Sequence, residues 1–171
     1  MKNTKIVLLI ILSIFLSFCG GKSETDLFDE ATKQLVGQDY SKAVMLFEQL
    51  VEEFPKGEKA SHSLFELAKL YQGQVVKNLD PTESLKKSVK LYKKIYTEYP
   101  KSTKAENAMF MASFILANDI RDYDDAKISY ELYLEKYPNG LLAKDAKIEL
   151  QNLGKTPEEV LKEKLQSETD N

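Results

Sequence analysis

This chain of 171 residues predicts an all-α protein, a stack of three helical hairpins closed by a capping helix. Three observations carry that prediction. A nine-residue joint, "EEFPKGEKA" at 52–60, returns as "TEYPKSTKA" at 97–105 and "EKYPNGLLA" at 135–143. Before each proline, apolar residues recur at spacings of three and four, which places them on one face of a helix that the proline stops. Each of these helices also carries a small residue twelve places before its proline (Ala43, Ser88, Ala126) and an aromatic eight places before it (Phe47, Tyr92, Tyr130).

Composition sets the frame for these elements. At 43% hydrophobic and 30% charged, the chain has enough apolar side chains to build a core, so the bulk of it is expected to fold. The formal net charge is -3 and Arg121 is the only arginine, which argues against nucleic acid, whose binding rests on neutralising phosphates.

Residues 1–18 stand apart as a leader. Lys2 and Lys5 precede an apolar run from Ile6 to Phe18, broken only by Ser13 and Ser17. That run suits a secretory signal and is shorter than the roughly 20 residues a spanning helix needs. The single cysteine, Cys19, closes the run, so no disulfide can form within the chain. The sequence Leu16-Ser17-Phe18-Cys19 resembles a bacterial lipoprotein signal, with Phe18 where a small residue is usual. The resemblance implies lipidation of Cys19, residues 19–25 as a short tether, and a place in the cell envelope, at the outer membrane facing the periplasm. Acyl chains gain about 0.8 kcal/mol per buried CH₂, so such an anchor is effectively permanent.

The repeat domain is expected over 26–153. Its hairpins fall at about 26–55, 58–100 and 102–138, with a capping helix at 140–153. In the first helices of the second and third hairpins, Leu64, Leu67, Ala68 and Tyr71, then Met109, Ala112, Ser113 and Leu116, form matching stripes. "GQDYSKA" (37–43) and "IRDYDDA" (120–126) read as hairpin corners whose aspartate caps the next helix. The second hairpin is longer by roughly eight residues around "QGQVVKNLDPTE", and the expectation is a lengthened first helix, a short loop and a restart at Asp80-Pro81-Thr82-Glu83. Gln151 stands where Ala68 and Ser113 stand in their units, so no helix should cross the last one. Residues 154–171 read as a short C-terminal helix with a frayed tail.

These residues resemble the tetratricopeptide repeat, whose pattern of L-G-x₂-Y, then A-x₃-F, then P is met by Leu67, Ala68 and Tyr71 and by Ala43, Phe47 and Pro55. The resemblance implies a right-handed superhelical stack. It also implies close helix crossings at Ala31, Ala68 and Ser113 against Ala43, Ser88 and Ala126. The prolines lie 45 and 38 residues apart, beyond the plain repeat of about 34, and such longer turns are similar to those of periplasmic and outer-membrane lipoproteins. Among these, the D-subunit lipoproteins of the outer-membrane β-barrel assembly machinery share the cysteine-tethered start and the "FP/YP" turns.

Nothing in the sequence points to catalysis, a metal or a cofactor. His62 is the only histidine, and no glycine-rich phosphate loop is present. The functional expectation is therefore a surface. By the resemblance, the first helices line a groove for a protein or peptide partner, with Phe28, Phe65, Lys69, Gln72, Asn107, Phe110 and Phe114 facing it, together with His62, Thr32, Leu35 and Ala117. The three repeat-related phenylalanines read either as that groove's apolar floor or as packing between hairpins. A second surface, Lys86, Lys90 and Lys93 with Lys87 and Lys94, reads as a contact for anionic lipid or cell-wall polymer or as a solvated helix face. The functional expectation is a non-catalytic adaptor, with a periplasmic coordinator of cell-wall synthesis or division, or a polymer-binding lipoprotein, as alternatives.

Overall fold

The computed structural model describes residues 21–169, and every regular element among them is helical. The elements are α1 (Glu24–Val36), α2 (Tyr40–Glu53), α3 (Ala60–Gln72), α4 (Pro81–Glu98), α5 (Ala105–Phe114), α6 (Tyr123–Lys136), α7 (Ala143–Asn152) and α8 (Pro157–Thr169). A π-helical turn, Ile115–Ile120, continues α5. From α1 to α7 each helix packs on the next, so three hairpins (α1/α2, α3/α4, α5/α6) stack in chain order with α7 against the last. The leader and Cys19 lie outside the described residues.

The recurring joint folds the same way three times. Phe54, Tyr99 and Tyr137 end their helices with φ near -125° and ψ between 55° and 60°. Two residues beyond each proline, a backbone N–H donates to the carbonyl of that aromatic, from Gly57 at 2.9 Å, Ser102 at 2.9 Å and Gly140 at 3.0 Å. Ala60, Ala105 and Ala143 then open the next first helix in nearly complete burial, where a larger side chain has no room. The size of the turn residue is matched by the preceding first helix. A methyl group on Gly57 or Gly140 would overlap the carboxylate of Glu24 or Glu106. Where the turn holds Ser102 instead, the corresponding residue is the short Ser61, and the two hydroxyls are 2.9 Å apart.

Close crossing of the two helices in each hairpin depends on the small residues. Ala31, Ala68 and Ser113 on the first helices and Ala43, Ser88 and Ala126 on the second are all fully buried. Contact is direct in the second hairpin, where the Ser88 hydroxyl donates to the Ala68 carbonyl at 2.7 Å. In the third, the Ser113 hydroxyl lies 2.7 Å from that of Ser129. Around the crossings lie two apolar clusters. Leu27, Phe47, Leu50, Leu67 and Tyr71 belong to the first, and Leu64, Tyr92, Ile95, Met109, Tyr130 and Tyr133 to the second.

The second hairpin departs from expectation. Helix α3 is not lengthened; it ends at Gln72, and residues 73–80 form a loop. Gln74 adopts φ 54°, its N–H donates to the Tyr71 carbonyl at 3.1 Å, and the Val75 N–H reaches the Leu70 carbonyl at 3.4 Å. This pair of reversed bonds is a Schellman ending. Helix α1 ends identically at Gly37-Gln38, with Gln38 at φ 62°. Val75, Val76 and Leu79 turn back onto the first cluster, so the insertion packs on the core rather than extending the helix. The restart is as read, with the Asp80 side chain accepting from the Glu83 N–H at 3.1 Å.

The third hairpin holds a different surplus. Eight residues separate Ala31 from its capping Asp39, and nine separate Ser113 from Asp122. The π turn takes up the extra residue. The Asp122 N–H donates to the Leu116 carbonyl at 2.8 Å and Arg121 sits at φ 62°, so the aspartate still caps α6, accepting from the Asp125 N–H at 3.2 Å.

Two neighbouring tyrosines in α6 behave differently. The Tyr133 hydroxyl donates to Glu106 at 2.8 Å and accepts from the Leu142 N–H at 3.3 Å, whereas the buried Tyr130 hydroxyl has no partner among the described residues. Tyr133→Phe is expected to cost about 1–2 kcal/mol, and Tyr130→Phe to be neutral or stabilising. Urea unfolding of the two variants checks this, and equal losses would contradict it.

Candidate functional site

The face formed by α1, α3 and α5 carries most of the residues singled out above. Phe28, Phe65 and Phe110 are half-buried, and each packs edge to face with the aromatic that stands eight places before the proline of its own hairpin. Ring centroids lie 6.0 Å apart for Phe28 and Phe47, 5.3 Å for Phe65 and Tyr92, and 5.9 Å for Phe110 and Tyr130. The interplanar angles of 66°, 71° and 67° are the edge-to-face arrangement that the ring quadrupole favours. These rings therefore buttress the hairpin with one side and present the other. Phe114 is less tied to the core, stacking on Phe110 at 6.3 Å.

The units also meet across this face. Phe28 touches His62 of the next first helix, with centroids 5.2 Å apart. His62 Nε2 lies 3.7 Å from Glu66, which also holds Lys69 at 2.8 Å. Lys69 and Asn107 are exposed, and Gln72 is half-buried with its side-chain oxygen 3.4 Å from the Tyr92 hydroxyl. Ala117 is buried, so it is part of the core and not of the face, because the π turn rotates it inward.

Two lysines that sequence reading missed complete the arrangement. Lys59 Nζ stands 5.3 Å from the centre of the Phe28 ring, and Lys104 Nζ stands 5.1 Å from that of Phe65. Both lysines come from the joint, one residue before the buried alanine, so the ring of each of the first two units is covered by a cation from the following turn. A signal existed in the recurring "KA" of the first two joints. In the third joint the same place is Leu142, half-buried against the cluster that includes Phe110.

Burial lowers the pKa of the His62 imidazole below the usual histidine value; Lys104, Lys59 and Lys69 push the same way, and Glu66 opposes them. The folded state thus prefers neutral His62. Above about pH 6.5 neither state is protonated there, and as pH falls through that value the unfolded chain takes up the proton first, so stability declines. His62→Gln should reduce the loss of stability between about pH 7.5 and 5.5. Urea midpoints at the two pH values test this; an unchanged difference would refute it.

The outer lysines are differently placed. Lys86 pairs with Glu83 at 3.0 Å, Lys93 with Asp125 at 3.8 Å and Lys94 with Glu98 at 3.9 Å, while Lys87 lies over the Tyr71 ring. Lys90 is exposed between them. A cleft of about 660 Å³ opens elsewhere, where the end of the π turn meets α7 and α8, lined among others by Asn118, Arg121, Glu149 and Lys155. Of the predicted face residues, Ala117 alone lines it. Among the described residues, no group of three or more His, Cys, Asp or Glu side chains could hold a metal ion, and no helix is long and apolar enough to cross a membrane.

Stacked hairpins with a side-chain face on their first helices define a helical-repeat protein. The family model of the tetratricopeptide repeat matches residues 31–57 and 107–140, which supports a tetratricopeptide-repeat protein; repeats of this kind are generally non-catalytic and bind protein partners. The matches fall on the first and third hairpins, and the one between them contains the 73–80 loop. A search of curated proteins found no match.

Proposed function

We propose that this protein is a lipid-anchored adaptor of the bacterial envelope, which holds a segment of a protein partner along the face of α1, α3 and α5. The observation that carries the reading is the row of half-buried aromatics, Phe28, Phe65 and Phe110, repeated unit by unit and extended by Phe114. Half-exposed aromatics flanked by polar groups are what peptide-binding surfaces use as anchors. Assembly of outer-membrane proteins is the process proposed for it, supported by the cysteine that ends the leader-like run and by the long turns between repeats. The lysine face of α4 supports a polymer-binding role less well, since Lys86, Lys93 and Lys94 are each engaged by an acidic neighbour.

Phe114 is the residue to test, because Phe110 also supports Tyr130 and Tyr133 and its loss would disturb the fold. Phe114→Lys should leave the far-ultraviolet spectrum intact and abolish the partner bands seen after crosslinking in cells. Retention of those bands would sink the binding face. Cys19→Ser should release the protein from membranes, and a variant that still sediments with them would end the anchor proposal.

A further inference from the structure

The basic side chains of the proposed binding face are of two kinds. Lys69 and His62 share Glu66, which lies between them. Lys59 and Lys104 are half-buried, take part in no ion pair among the described residues, and stand instead over the rings of Phe28 and Phe65. The carboxylate of Glu24 accepts a hydrogen bond from the backbone N–H of Lys59, at 2.6 Å, and forms no ion pair with its ammonium group. At the second joint the corresponding residue is Ser61, so no carboxylate replaces it there. On the outer face of α4, by contrast, Lys86, Lys93 and Lys94 each have an acidic neighbour, and Lys87 stands over Tyr71 of the core rather than over a ring of the proposed face.

Resting on the binding face proposed above, we propose that the partner segment is an extended acidic peptide with one apolar anchor. Its two carboxylates meet Lys59 and Lys104, and an aromatic or large aliphatic side chain follows at Phe110 and Phe114. The order comes from the stack. Two units in succession offer a lysine over a phenylalanine, and the third offers Leu142 and the Phe110–Phe114 pair. The spacing comes from helix packing. Phe28 of α1 and His62 of α3 touch with ring centroids 5.2 Å apart, so successive first helices stand side by side with about 10 Å between their axes, and an extended chain, advancing about 3.3 Å per residue, meets them about three residues apart. The recognised pattern is therefore acidic, two residues, acidic, two residues, apolar, read from the first unit to the third.

The test uses the full chain and fluorescein-labelled peptides in a Gly/Ser background, with Glu at the first and fourth positions and Phe at the seventh, made in both chain directions. Counterparts carry Lys for Glu, or Ser for Phe. One direction of the acidic peptide should bind more tightly than either counterpart. The double variant Lys59→Gln/Lys104→Gln should weaken it about tenfold and flatten its dependence on salt, as expected for two partly exposed ion pairs. Lys86→Gln/Lys90→Gln should leave binding unchanged, and thermal melts confirm that each variant is folded. If the Lys peptide binds as well and Phe114→Lys abolishes both, the acidic partner is overturned while the face survives. Binding insensitive to Phe114→Lys, or no binding by either peptide at millimolar concentration, overturns the proposal, and insensitivity to Phe114→Lys counts against the face as well.

Discussion

Replacing Tyr92 by alanine is expected to cost about 3–5 kcal/mol, the range for removing a large, fully buried aromatic. Tyr92 is completely buried in the cluster that joins the second and third hairpins, together with Leu64, Ile95, Met109 and Tyr130. It also supports the Phe65 ring, edge to face at 5.3 Å. Crossing helices cannot collapse onto the space it leaves without disturbing Ser88 and Ala68, whose hydrogen bond fixes their separation. Domains of this size are stable by about 5–15 kcal/mol, so a large share of the total is at stake. Urea unfolding followed by circular dichroism measures it, and a loss below about 1 kcal/mol would contradict the packing described here. Because stacked repeats are stabilised by nearest-neighbour interfaces, hydrogen exchange should accelerate first in α4 and α5.

Ala68→Leu is expected to be the most damaging of the small-to-large changes, costing about 1–3 kcal/mol or more. The Ala68 side chain is fully buried, and the carbonyl of the same residue accepts the Ser88 hydroxyl at 2.7 Å, so α4 lies directly against it. Leucine would force α4 away, break that bond and open the second hairpin. The same leucine at Gln151 provides the control. Gln151 occupies the matching place on α7 but is exposed, and Gln151→Leu should change stability by no more than about 0.5 kcal/mol. Comparable losses in the two variants would mean that size at this place does not set the crossing.

The hairpins were legible because their signals are local. Apolar spacing of three and four, a proline stop, capping aspartates and a small residue at a fixed distance each act within one or two helical turns. Asp39, Asp80 and Asp122 cap as their sequence positions imply. The fate of the eight extra residues was not legible. Val75 and Val76 continue the apolar pattern of α3, and only their packing against the first cluster shows why the helix ends at Gln72. For the phenylalanines, the resemblance to a known repeat implied a face but could not decide whether a ring turns inward or outward. The structure gives both, with one side of each ring against Phe47, Tyr92 or Tyr130 and the rest of it at the surface.

The sequence by itself therefore determined the helices, their pairing into hairpins and the places where those hairpins cross, since each depends on residues close together in the chain. The tertiary structure decided which charges accompany which rings. Lys59 and Phe28 are 31 residues apart, and Lys104 and Phe65 are 39 apart, with a whole helix between the members of each pair. They meet only because one hairpin packs on the next at a fixed offset, and that offset depends on contacts such as Ser61 with Ser102 and Glu24 with the turn at Gly57. Local periodicity carries no information about such an offset, because it arises from how the sizes of residues far apart in the chain fit together.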